Sequence, residues 1–168
     1  MGLLIDRIKG IVSVVTEADF SRRPRTYQLD IGVVAAGAGY AAEIYPTGKR
    51  RIHITEVHLN KPSVAVTIRL IKAQTRSTGG TATTPVGIPL DALDDSPQAE
   101  VKLFTAAPTA GVAVGDVFDL AFATGDFVWQ EFGNLGTKPL VLGGVSQALA
   151  INVSGAATIA GYIRWTEQ

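Results

Sequence analysis

Ser63-Val64-Ala65-Val66-Thr67-Ile68-Arg69-Leu70-Ile71-Lys72 alternates with a period of two. Val64, Val66, Ile68 and Leu70 fall on one side, and Ala65, Thr67 and Arg69 on the other. That is the pattern of a strand with its even-numbered face in a core. The same period, broken by turn residues at short intervals, runs through the chain from Ala41 onward. Candidate strands lie at 41–45, 50–59, 100–105, 116–122, 127–132, 147–153 and 158–166, with Phe118, Leu120 and Phe122 buried in the fourth of these. Together with 63–72 they make about eight strands, and the expected fold is all-β, a jelly-roll-like two-sheet sandwich.

Finer features follow from the same reading. Pro46-Thr47-Gly48-Lys49 has the residues of a tight turn, so 41–45 and 50–59 are expected to form a hairpin. Along 50–59 the apolar positions change phase, from Ile52 and Ile54 to Val57 and Leu59, which places a bulge or bend near Thr55. Thr75 to Asp95 is rich in Gly, Thr, Pro and Asp and is longer than ordinary connections in compact domains, a length often tied to function. Trp129 and Trp165, near strand ends, read as core anchors.

Composition supports this class. The 168 residues include 18 Gly, one Met and 46% hydrophobic positions, enough for one domain that buries roughly 70% of its unfolded surface. Fifteen Lys and Arg balance fifteen Asp and Glu, so the electrostatic footprint of a nucleic-acid binder is missing. Cysteine is absent, which excludes disulfides, thiolate metal sites and cysteine nucleophiles. Charges interrupt Leu3 to Ile8 too early for a secretory leader, and no apolar run approaches the roughly 20 residues of a membrane helix.

The first 40 residues read differently from the rest. A short apolar start, with a helical turn or two over Leu3 to Ile8, precedes a polar stretch, the cluster Arg22-Arg23-Pro24-Arg25 and a small-residue run from Val33. The expectation is an extended N-terminal arm, 1–40, ahead of a sandwich body, 41–168. Charge supports docking by the arm: residues 1–51 carry eight basic against five acidic groups, and the remainder carries seven against ten. A basic segment on an acidic body suits contact between molecules, although fields this small are screened within roughly 8 Å.

Motifs that carry chemistry are weak. His53 and His58 are five apart, so an unbroken strand projects them to opposite faces, and no third metal ligand is evident. Asp91, Asp94 and Asp95 lack the spacing of a calcium loop and read as turn formers. Glu56, Glu100 and Glu131 fall on different strands and read as surface charge. Gly-x-Ser-x-Gly is missing. Gly37-Ala38-Gly39-Tyr40-Ala41-Ala42 fits a loose dinucleotide pattern, but Pro46 and Gly48 would stop the helix it requires, so it reads as close packing. Asn152-Val153-Ser154, a glycosylation acceptor by pattern, is discounted at a strand end. No catalytic residue, metal or cofactor is expected.

Gly79-Gly80-Thr81-Ala82-Thr83-Thr84-Pro85-Val86-Gly87-Ile88-Pro89-Leu90-Asp91 resembles a segment of small virion proteins encoded beside the major capsid gene in tailed bacteriophages. Phe104 to Thr109, Trp129 to Gly133, Pro139 to Leu142, Gln147 to Asn152 and Tyr162 to Glu167 are similar to the same group. The resemblance spans roughly residues 48 to 167 and consists of packing and turn patterns. It implies a jelly-roll capsid decoration, or cement, protein on the virion exterior, made in the host cytoplasm and binding neighbouring major capsid protein subunits. It also implies a homo-oligomer, with a trimer favoured over a dimer, and neither a nucleic-acid nor a membrane partner. On that reading the expected contact residues are Phe20, Arg22, Arg23, Arg25 and Tyr27 in the arm, and Thr81, Thr83 and Asp91 in the long loop. The rival reading is a tail-associated or carbohydrate-binding β-sandwich module using Tyr40, Tyr45 or Trp129. A third is a jelly-roll lyase or cupin with metal at His53 or His58.

Overall fold

The structure, a computed structural model, describes residues 5–8, 11–14, 24–32, 34–60, 62–133 and 139–168, and every regular element among them is a strand. A hairpin of β1 (Ile5–Ile8) and β2 (Ile11–Val14) comes first. Then follow β3 (Arg25–Asp30), β4 (Val34–Ala36), β5 (Gly39–Pro46), β6 (Ile52–Asn60) and β7 (Val66–Ala73). After two short strands, β8 (Thr81–Thr83) and β9 (Ile88–Pro89), the chain forms β10 (Ala99–Ala106), β11 (Ala113–Phe122) and β12 (Phe127–Glu131). It ends with β13 (Leu140–Leu142), β14 (Ala148–Val153) and β15 (Ala157–Glu167).

Two antiparallel sheets form a sandwich. One runs β11-β7-β14-β5-β10-β8, and the other runs β12-β6-β15-β3-β9, with β13 on β6 and β4 on β15. Eight strands carry the jelly roll: β3, β5, β6, β7, β11, β12, β14 and β15. Numbered along the chain, they stand as 6-3-8-1 in one sheet and 5-4-7-2 in the other, the double Greek-key order of that fold. β10 and β8 are an insertion that extends the six-stranded sheet past β5.

This topology corrects three expectations. Arg25–Asp30, assigned to the arm 1–40, is the first jelly-roll strand and pairs with β15 from Arg25↔Glu167 to Asp30↔Tyr162. The sandwich therefore begins at Arg25 and not at 41. Its burial pattern explains why: Tyr27, Leu29 and Ile31 alternate into the core. Second, β5 and β6 are not a hairpin. The chain leaves one sheet at Pro46 and enters the other at Ile52, with Thr47 N–H donating to Gln98 O at 2.8 Å and Arg51 N–H to Gln168 O at 2.9 Å. β5 is buried nearly throughout, covered on both faces, so it lacks the alternation of a half-exposed hairpin strand. Third, Ile5–Ile8 is a strand paired with Ile11–Val14, not a helical turn.

The bulge near Thr55 is present. Arg164 pairs with Glu56 and Trp165 with Ile54, so Thr55 is the extra residue, its hydroxyl donating to Arg164 O at 3.2 Å. The phase change of the sequence is this bulge, and it lets β6 bury Ile52 and Ile54 on one side of it and Val57 and Leu59 on the other.

The core lies between the two sheets. Trp165, fully buried, stacks on Tyr27 with ring centroids 5.8 Å apart. Gly87 of the long loop lies over the indole so closely that a Cβ there would stand 2.4 Å from Trp165 Cη2, and glycine is what lets the loop settle on the core. Beside the indole, the buried Glu167 carboxylate accepts Gln98 N–H at 2.8 Å, Ala99 N–H at 2.9 Å and Trp165 Nε1–H at 3.2 Å. Arg50 faces it at 3.6 Å. A buried carboxylate is tolerated because these donors replace water.

Trp165→Ala should cost about 4 kcal/mol of unfolding free energy, the range for deleting a fully buried large aromatic. Phe127→Ala, at a residue 71% exposed, should stay within about 0.5 kcal/mol. Urea unfolding of both variants measures the contrast.

Candidate interaction surface

The outward face of the seven-stranded sheet is built from side chains in register across β12, β6, β15 and β3. One row is Trp129, His58, Tyr162 and Asp30, and the next is Glu131, Glu56, Arg164 and Gln28. The His58 ring stacks on Tyr162 at 5.1 Å and lies 6.5 Å from Phe127. Arg164 bridges the second row, Nη1 to Glu56 Oε2 at 2.7 Å and Nη2 to Gln28 Oε1 at 2.8 Å, while the Tyr162 hydroxyl donates to Glu56 Oε1. Beside these groups is an open cavity of about 290 Å³ lined by Thr55, Glu56, Glu131, Phe132, Gly133 and Arg164. The Glu56 carboxylate is committed to Arg164 and Tyr162, so the face presents an aromatic platform beside hydrogen-bonding groups.

Trp129 is 60% exposed here, which corrects its reading as a core anchor. The reason is topological: β12 is the edge strand of its sheet, and Trp129, opposite His58, projects away from the core. Tyr40 and Tyr45, proposed with it as a sugar platform, are buried instead. Tyr45 is capped by Arg76, whose guanidinium lies 4.0 Å over the ring, and its hydroxyl donates to Glu100. The segment that carries Arg76 straps the outer face of the six-stranded sheet. Ser77 donates to the buried Glu43 carboxylate from its amide at 2.9 Å and its hydroxyl at 2.6 Å.

The expected contact residues are scattered. Phe20, Arg22 and Arg23 lie outside the described residues. Tyr27 is core and cannot touch a partner; its hydroxyl donates to Asp95 O at 2.9 Å. Arg25 pairs with Asp95 and lies 4.0 Å from Asp94. Thr81 and Thr83 are exposed on the edge strand β8, and Asp91 is exposed in the turn before Asp95, accepting Leu93 N–H at 3.0 Å. Asp91 and Asp94 close that turn, as their spacing suggested, with Asp94 N–H donating to Asp91 O at 3.0 Å. The Thr55 bulge brings His53 and His58 to one face, opposite Thr166 and Tyr162, yet roughly 13 Å apart along the strand and too far to share an ion. Among the described residues no group of three or more His, Cys, Asp or Glu converges as a metal site.

Sequence reasoning missed the exposed apolar groups. In the long loop, Val86, Ile88, Leu90 and Leu93 face solvent, Leu93 at 92%. On β11, expected to bury Leu120, that residue is 50% exposed, together with Val114 and Val117. Phe122 is buried as expected and Phe118 is half-buried. Alternation alone does not distinguish a central strand from an edge strand, and β11 is an edge.

All four tyrosines are held above their ordinary pKa of 10.0. Burial is the first cause for Tyr27, Tyr40 and Tyr45, and the hydrogen bond to Glu56 for Tyr162. A raised folded-state value favours the neutral phenol, so its contribution is complete below pH 10 and is lost as pH rises further, when the unfolded chain sheds protons first. Stability should fall above pH 10, and absorbance of the phenolates should appear together with unfolding rather than before it.

Comparison of the chain with family models, curated proteins and solved structures finds no match.

Proposed function

We propose that this chain is a virion structural protein that binds the outside of a phage capsid and clamps neighbouring major capsid protein subunits. The observation that carries the reading is the long loop. Its exposed Val86, Ile88, Leu90 and Leu93 sit on a base fixed to the core by Gly87 against Trp165 and by Tyr27 and Arg25 against Asp95. Exposed apolar side chains on a held base suit docking with little ordering cost, because the loop is already tied down. Thr81 and Thr83 on the edge strand β8, and Asp91 next to Leu90, are exposed as well, and Phe20, Arg22 and Arg23 supply a second, basic contact ahead of β3. Attachment at two points multiplies modest contacts, and a ligand that binds the assembled shell stabilises it by mass action.

A carbohydrate-binding reading retains one of its three aromatics, Trp129, beside the cavity with Glu56, Glu131 and Arg164. Glycan-array binding lost in Trp129→Ala, without loss of head binding, would favour it.

Because β3 is core, an arm deletion must stop before residue 24. Capsids decorated with the full chain should survive heating that breaks bare capsids. Leu93→Asp with Val86→Asp should weaken attachment at least about tenfold, as should alanine at Phe20, Arg22 and Arg23 together. Heat challenge and sedimentation of the particles read both. Full protection by every variant would refute the clamp.

A further inference from the structure

The sandwich treats its two sides unequally. On one side its edge strands are β8 and β9, of three and two residues, joined through the long loop. Short edges offer little backbone to another chain. On the other side the edges are β11 and β12, of ten and five residues, connected by the turn Ala123 to Asp126. β11 skips a partner residue at Val114 and again at Val117, so its first half is bulged away from regular pairing. Its second half, Phe118 to Phe122, runs in unbroken register with Leu70 to Val66 and presents a free backbone edge, with Leu120 half-exposed. Natural edges are commonly protected by lysine, proline or cover. This stretch has neither lysine nor proline, no strand among the described residues pairs with its outer edge, and between Lys102 and Lys138 the chain carries Asp116, Asp119, Asp126 and Glu131 without one basic residue.

The opposite deficiency lies at the N-terminus. β1 and β2 pair with each other from Ile5↔Val14 to Ile8↔Ile11 and, among the described residues, with neither sheet. A two-stranded hairpin by itself is marginal in water and needs a further strand or a packed face. Its sequence, Ile5-Asp6-Arg7-Ile8 and Ile11-Val12-Ser13-Val14, is strand-forming and apolar. Each strand is four residues long, a match for the regular five of β11. Arg7 and Lys9 give the hairpin segment 5–14 two basic groups against one acidic, Asp6. The nine residues 15–23 can span at most about 30 Å, enough to leave the sandwich that bears them.

We infer that copies of this chain associate head to tail, the β1–β2 hairpin of one copy adding to the Phe118 to Phe122 edge of the next. Two acidic edges facing each other across a twofold axis would repel, whereas a donor segment and a distinct acceptor edge make a heterologous contact, which gives a ring where the rotation between copies closes and an open filament where it does not. Backbone hydrogen bonds supply the grip and Leu120 the apolar contact, as in other strand additions. The inference stands apart from the capsid reading: it concerns the isolated protein and needs no shell.

The test uses two full-length variants. Arg7→Pro with Val12→Pro removes the donor while leaving both sheets untouched, and Leu120→Lys places a charge on the acceptor edge. At about 100 µM, well above the Kd of a micromolar association, the parent chain should sediment as an oligomer and each variant as a monomer with unchanged unfolding. Mixed one to one, the variants should form a dimer, because Leu120→Lys keeps its hairpin and the proline variant keeps its edge. A monomeric parent chain would overturn the inference, as would a proline variant that still assembles or a mixture that stays monomeric. Should Leu120→Lys fail to fold, the proline variant alone decides, since its changes lie outside the sandwich.

Discussion

Glu167 is a buried carboxylate, and the last strand is in place only if that charge is answered. Two backbone amides from Gln98 and Ala99, the indole of Trp165 and the guanidinium of Arg50 answer it. The donors come from the end of the long excursion, from β15 itself and from the crossing between sheets, so one charge joins three parts of the chain far apart in sequence. Trp165, two residues earlier on the same inward face, then stacks on Tyr27 of the first jelly-roll strand and carries Gly87 above it. Removing one partner of such a group leaves a buried charge uncompensated, which costs more than the single bond it made.

From that fixed centre the distribution of exposed apolar groups becomes intelligible. The loop that presents Val86 to Leu93 is not loosely attached; Gly87, Tyr27 and Arg25 tie it down at three points. The outer face of the six-stranded sheet is likewise closed, by Arg76 over Tyr45 and Ser77 over Glu43. Among the described residues, exposed apolar groups remain at the loop tip, on the β11 and β12 side and in the aromatic row at Trp129, with Val64, Val112 and Val145 beyond them. Sites of contact in proteins are drawn from such leftovers on rigid elements.

Much of the sandwich was legible because half-buried strands alternate, and β7 and β15 do so in the sequence. The Thr55 bulge was legible too, because a phase slip between Ile54 and Val57 has few other physical causes. Arg25–Asp30 was hidden by Pro24 and the arginines beside it, which look like a linker, although Tyr27, Leu29 and Ile31 already alternate. The surface residues were least legible. Trp129 and Leu120 have the chemistry of core residues, and what exposes them is their place at a sheet edge, a property of strand order rather than of local pattern. Tyr27 erred in the other direction: an aromatic next to arginines suggests a contact, but pairing with Trp165 across the sheet buries it.

Arg25 is aligned with Glu167, and Arg51 and Gln168 exchange backbone hydrogen bonds, so residue 24 and residue 168 leave the sandwich at one pole. The turn around Gly125, held by its amide to Pro62 O at 3.2 Å, caps the other pole, where β6 ends at Asn60 beside Phe127. Cargo genetically joined after Gln168 would therefore emerge beside residue 24, whereas a loop grafted at Gly125 would project from the opposite pole of the sandwich.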